Sequence, residues 1–252
     1  MKLPKKITPD RIRDSIVQVF IKTEIPFEPL VGYLFGTLSE MGFAYSNELL
    51  KQPQKKTVTT QPNEIVVNLL PQHLYFNEEI KIQLHQSGSL IFNSVNKYIG
   101  WSKFASYIQS TLTKLVEQNV IQGYSRVGIR YISEFPNIDL LDKLNFSFNL
   151  QGLNQSLQNG SFRFEWNDSP HKIVVNLGMK LPIGVSTTVE GEKIDFISLI
   201  DIDVINMEVS ITKNEELFAA IEAAHLKQKE IFFGLLREDF LESLNPDYEE
   251  TK

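Results

Sequence analysis

An α+β protein, with largely antiparallel sheets covered by helices, is the architecture this sequence predicts. Three observations lead there. Runs of alternating and β-branched residues recur along the chain. Hairpin-type signals such as Ser87–Gly88 join them, with little strict strand–helix–strand alternation. A few amphipathic stripes at helical spacing supply the covering layer.

The first run is "RDSIVQVFIKTEI", Arg13 to Ile25. Ile16 and Phe20 lie near one face and Val17, Val19 and Ile21 on the other, so it reads as a strand that Pro26 ends. In "PFEPLVGYLFGTLSEMGF", Leu30, Tyr33, Leu34, Leu38 and Met41 recur at helical spacing. Pro29 sits near the start and Gly42 is a natural stop. Residues 49–63 are polar with two prolines and read as a loop. Strands follow at Glu64–Leu70, Glu79–Gln86 and Gly88–Val95. "GWSKFASYIQSTLTKLVEQN" is then a helix, with Phe104, Ile108, Leu112 and Leu115 on one stripe. "YSRVGIRYISEF", Tyr124 to Phe135, is a strand carrying Arg126 and Arg130 on one face. The first half, 1–140, reads β-α-β-β-β-α-β.

In the second half, 141–252, "NFSFNLQG", "GSFRFEWN" and "HKIVVNLGMKL" read as strands, with Asn159–Gly160 and "DSP" as turns. Gly191 to Thr212 reads as one long strand with a bulge. From Asn214, a fair N-cap, the chain is helical, and Gly234 is expected to divide a long helix from a short one. The order is β-β-β-β-α, and the two halves, which share a strands-then-helix order suggestive of a weak duplication, are expected to pack as one unit.

Composition bounds the function. The chain has 252 residues, 42% hydrophobic, 22% charged and 11% aromatic, an ordinary globular balance. It has no cysteine, which excludes disulfides, thiolate metal sites and cysteine nucleophiles and suits a reducing cytoplasm. The basic N-terminus lacks the apolar stretch of a signal peptide, and no apolar run is long enough for a membrane span. A cytoplasmic protein is expected, without membrane partners. Net charge is −6, against a bulk nucleic-acid binder. Residues 1–140 hold 15 Lys and Arg against 12 Asp and Glu, hence +3; the rest hold 10 against 19, hence −9.

Four patterns stand in order: "YIGWSKF" at Tyr98–Phe104, "GIRYISEF" at Gly128–Phe135, "LIDIDV" at Leu199–Val204 and "AAHLKQKEIFFGLL" at Ala224–Leu236. Together they resemble a sporadically distributed bacterial family of uncharacterised proteins of similar length. On that resemblance Tyr98, Trp101, Phe104, Gly128, Tyr131 and His225 are its structural motif residues. The family strand usually continues Arg-Tyr-Ile-Asn-Arg, where this chain has Ser133 and Glu134. The resemblance implies no reaction; its scattered distribution suits mobile elements or phage defence.

The candidate chemistry is sparse. Asp201 and Asp203 share a strand face and could hold Mg²⁺ or Mn²⁺, helped by Asp195 or Glu208. The simpler reading is that they form the polar side of an amphipathic strand backed by Ile200, Ile202 and Val204; a third is that one of them pairs with Arg126 or Arg130 across strands. His73, His85, His171 and His225 lack metal-ligand spacing, so no metal or cofactor is expected. His225, with Lys229 a turn on, reads as a packing or surface histidine before a general base. No phosphate-binding glycine loop or nucleophile elbow occurs. Trp101, Tyr98 and Phe104 could stack a base but fit a hydrophobic staple and core. Lys51, Lys55 and Lys56, with Arg126 and Arg130, could touch phosphates. The expected function is a non-enzymatic accessory protein acting through protein–protein contacts or self-association. The alternatives are a metal-dependent hydrolase or nuclease on Asp201 and Asp203, or a nucleic-acid-binding module on the basic half.

Overall fold

The computed structural model describes residues 3–46, 72–148, 159–189, 192–206 and 211–248. The expected strand at 64–70, the loop carrying Lys51, Lys55 and Lys56, and Glu208 lie outside these residues. The protein is α+β. Its strands are β1 (Ile12–Lys22), β2 (Ala44–Ser46), β3 (Gln72–Phe76), β4 (Ile80–His85), β5 (Ser89–Ser94), β6 (Gly123–Pro136), β7 (Gly160–Asp168), β8 (His171–Val189) and β9 (Glu192–Asn206). Its helices are α1 (Phe27–Glu40), α2 (Trp101–Glu117), α3 (Asn214–Leu235) and α4 (Glu238–Ser243).

Among the described residues, nine strands form one sheet in the order β2-β3-β4-β5-β1-β6-β9-β8-β7, with every pairing antiparallel. The seam between the halves is the β6–β9 ladder, which runs without a break from Val127↔Asn206 to Pro136↔Ile197. The bulge expected in the 191–212 run falls on its partner instead. Between Gly178 and Leu181, β8 spends one residue more than β9 spends between Leu199 and Ile197. Lys180 there adopts a left-handed φ of 47° and its N–H bonds Ser198 Oγ.

The sheet is one-sided. Val17 and Val19 of β1, Ile82 and Leu84 of β4, Val127, Ile129 and Phe135 of β6, and Ile200, Ile202 and Val204 of β9 all reach zero exposure. They form one core with Leu34 and Leu38 of α1, Ile108 and Leu112 of α2, Ile221 and Ala224 of α3, and Phe240 of α4. Val174 and Ile205, which point the other way, are buried yet stand apart from that core. Among the described residues, the helices cover one face only.

Local chemistry explains the helix limits. After α1, Gly42 (φ +82°) donates to Ser39 and Phe43 donates to Leu38, a Schellman stop. After α2, Asn119 (φ 58°) does the same work, with bonds to Val116 and from Val120 to Leu115. Three expectations at the C-terminal end are corrected. Asn214 is the first helical residue and caps nothing; its Oδ1 accepts the Tyr124 hydroxyl at 2.6 Å. Gly234 stays inside α3, and the turn comes at Leu236 and Arg237. Residues 145–148 are not a strand, because Asn145 ties that segment to the end of α3. Its side-chain amide donates to the carbonyls of Gly234 and Leu236, at 3.1 and 3.0 Å.

Candidate functional site on the open face of the sheet

β6 is central, and its alternation decides which side chains meet helices and which meet the open face. Tyr131 points to the helices; Arg126, Gly128 and Arg130 point away. In register, Arg130 stands opposite Asp203. Its guanidinium nevertheless turns to the diagonal neighbour Asp201, with Nε and Nη2 donating to Oδ1 and Oδ2, both at 2.8 Å. The bidentate fork fits a carboxylate better than a head-on approach. Asp201 is buried and also accepts Asn176 Nδ2 at 3.0 Å. The chain of contacts continues outward: Arg163 Nη1 donates to Asn176 Oδ1 at 3.1 Å, and Glu165 takes Arg163 and Lys172 at 2.6 and 2.7 Å. A polar ladder therefore crosses β6, β9, β8 and β7. Both oxygens of Asp201 are engaged, by the Arg130 guanidinium and the Asn176 amide. Among the described residues, no cluster of three acidic or histidine side chains is placed to hold a metal ion.

On the other side of Arg130 the open face sinks into a groove of about 420 Å³ over β4, β5, β1, β6 and β9. Gln18, Lys81, Gln83, His85, Asn93, Arg126, Gly128, Arg130 and Asp203 line it, with Ile16 and Ile91 between. Gly128 makes the floor: a Cβ there would sit 3.7 Å from Asp203 Oδ1 and 3.9 Å from Ile205 Cγ1, so the absent side chain is what keeps the seat open. Burial pushes the Asp203 carboxyl up to about 6, although Arg130 and Arg126 pull it back. Burial also holds His85 below its usual range. The Arg126 guanidinium lies 5.2 Å from the centre of the Phe20 ring. Two buried polar atoms of the lining, Arg126 Nε and Asn93 Oδ1, have no hydrogen-bond partner among the described residues. One is a donor and the other an acceptor.

Five of the six motif residues, all but Gly128, meet on the opposite face. Tyr98 and Tyr131 hydroxyls are 3.2 Å apart, and Tyr131 is 3.3 Å from His225 Nδ1. Trp101 stacks on His225 at 3.9 Å and 11°, and its Nε1 donates to Glu222 Oε2 at 2.7 Å. Phe104 is fully buried beside Trp101. Burial and then Lys229 lower His225 to about 3, so it is a neutral ring in this core and poorly matched to proton transfer near neutrality. A cavity of about 660 Å³ lies against this cluster and is lined in part by Asp10 and Arg11. Burial raises the pKa of Asp10 and lowers that of Arg11. Sequence reasoning missed Asn176, Glu222, Asp10 and Arg11. Only Glu222 left a signal, one helical turn before His225. Of the other histidines, His73 bonds Tyr45 at 2.7 Å and His171 is buried at the β7–β8 turn.

No family model matches this chain, and no curated protein matches it. One solved structure that does, Methanococcus jannaschii TBP, is 12% identical, covering 88% of this chain and 98% of its own, at a TM-score of 0.29. At that score the likeness carries no argument about this protein.

Proposed function

We propose that this is a non-catalytic binding protein that acts through protein–protein contacts, and that an extended segment of its partner lies in the open-face groove. The observation that carries the reading is the groove itself, floored by Gly128 and lined by the side-chain amides of Gln18, Gln83 and Asn93 across β1, β4 and β5. Amides can answer both the carbonyls and the N–H groups of an extended backbone. The mixed charge of the lining argues the same way. A polyanion would meet Asp203 at the β9 side of the groove, beside an arginine already matched by Asp201.

The test is a photo-crosslinking residue at Gln18, with a second at the exposed Ser110 of α2 as control, followed in a Gly128→Leu background. The expected result is a discrete adduct at Gln18 alone that Gly128→Leu removes without changing the melting temperature much. Equal adducts at both positions, or none, overturn the reading. So does tight nucleic-acid binding with a steep salt dependence, or a Mg²⁺-dependent hydrolysis lost in Asp201→Ala.

A further inference from the structure

The groove says nothing about the edges of the sheet, and one edge is built unusually for a free-standing strand. β7 is the last strand in the order, and it pairs with β8 residue for residue from Gly160↔Met179 to Asp168↔His171. Its outer side carries no strand among the described residues. Edge strands are normally blunted by charged side chains, lysine above all, by proline, a bulge or short length. β7 is nine residues long, has no proline or lysine, and its pairing with β8 shows no register shift; its charges, Arg163, Glu165 and Asp168, are of both signs. It is also aromatic and exposed: Phe164 is 37% and Trp166 42% accessible. Phe162 and Phe164 pack on Phe146 at 5.1 and 5.4 Å, which stiffens the ridge.

The sequence of β7 selects a partner. Residues opposite each other in an antiparallel ladder share a sheet face. Two copies meeting about a twofold axis must therefore pair one residue with its own copy. Centred on Arg163 or on Glu165, the ladder would set like charges face to face. Centred on Phe164, it sets Arg163 opposite Glu165 twice, Phe162 opposite Trp166 twice, and Phe164 opposite itself, with Gly160 and Asp168 closing the ends. That register uses the whole strand, matches both charge pairs and buries the exposed rings together.

We infer that a second copy of this chain pairs along β7 in the Phe164-centred register, joining two nine-stranded sheets into one. The surface is separate from the groove, so this dimer stands or falls independently of the partner proposed there. The experiment is sedimentation of the full chain across a concentration series, with the charge variants Arg163→Glu and Glu165→Arg. Circular dichroism and melting check that each variant folds. The wild type is expected to dimerise. Each single variant sets like charges opposite one another at two places and is expected to raise the dimer dissociation constant roughly tenfold or more. Mixed in equal amounts, the two variants place Arg against Glu at all four positions, so a heterodimer is expected. A wild type that stays monomeric throughout overturns the inference. So does a dimer that neither variant weakens, or a mixture that stays monomeric while both parents fold.

Discussion

The two faces of β6 solve opposite problems with neighbouring residues. On the helix face, the buried Tyr131 and His225 and the half-buried Tyr98 and Trp101 form a set of neutral polar groups, held by stacking and by hydrogen bonds of 3.2 and 3.3 Å. One residue away, Arg130 and Asp201 make a charged fork at 2.8 Å, with the arginine side chain 43% exposed and the aspartate 11%. The difference follows from solvent. Where helices exclude water, charge is too costly and His225 gives up its proton. Where the face is open, a guanidinium can stay partly hydrated while it neutralises a carboxylate that is not. The neutral side is thus held by packing, and the charged side by pairing that water can tune.

Removing packing should therefore hurt more than removing pairing. Trp101→Ala loses the stack on His225 and strands the Glu222 contact. It is expected to cost about 3 kcal/mol, the low end for an aromatic-to-alanine change, because Trp101 is only half-buried. Urea unfolding measures it, and a loss no larger than that of Arg130→Ala would erase the contrast. Arg130→Ala leaves Asp201 with Asn176 alone. About 2 kcal/mol is expected, below the cost for a fully buried pair. Replacing both partners, Arg130→Met with Asp201→Leu, should recover most of that. If the double replacement is as unstable as the single, the pair is doing more than cancelling its own charge.

Much of this strand was legible beforehand. The alternation of "YSRVGIRYISEF" placed both arginines on one face, and a cross-strand partner at Asp201 or Asp203 was among the readings. Which aspartate was not legible, because register makes Asp203 the facing residue while the length of the arginine side chain carries its fork to the diagonal one. The groove was less legible still. It depends on β1 lying between β5 and β6, and on β9 lying beside β6, an order that local periodicity does not encode. The same limit hid the character of β7. Its alternation reads as a half-buried strand, whereas its position at the sheet edge leaves even Phe164 and Trp166 exposed. Asn145, read as part of a strand, turned out to be needed by the unsatisfied carbonyls at the end of α3.

The smallest effects give the sharpest comparison, because the two faces respond to pH with opposite sign. His225 falls to about 3 in the folded protein, below its unfolded value near 6.5. Between those values the unfolded chain takes up a proton that the native state refuses, so stability drains away as pH falls. The loss between pH 7 and pH 5 is about 2 kcal/mol. Asp203 rises to about 6 from an unfolded value near 3.9. Over the same interval the native state gains a proton first, and stability rises by about 1 kcal/mol. In the wild type the two largely offset. Asp203→Asn should remove the gain and leave the steeper acid loss, while being more stable than the wild type at pH 7, where the half-buried carboxylate is ionised. His225→Phe keeps a ring on Trp101, removes the acid loss and should make the protein more stable at pH 5 than at pH 7. Melting curves of the three proteins at the two pH values decide it. If both variants shift in the same direction between pH 7 and pH 5, the faces of β6 do not divide into a neutral side and a charged side as described.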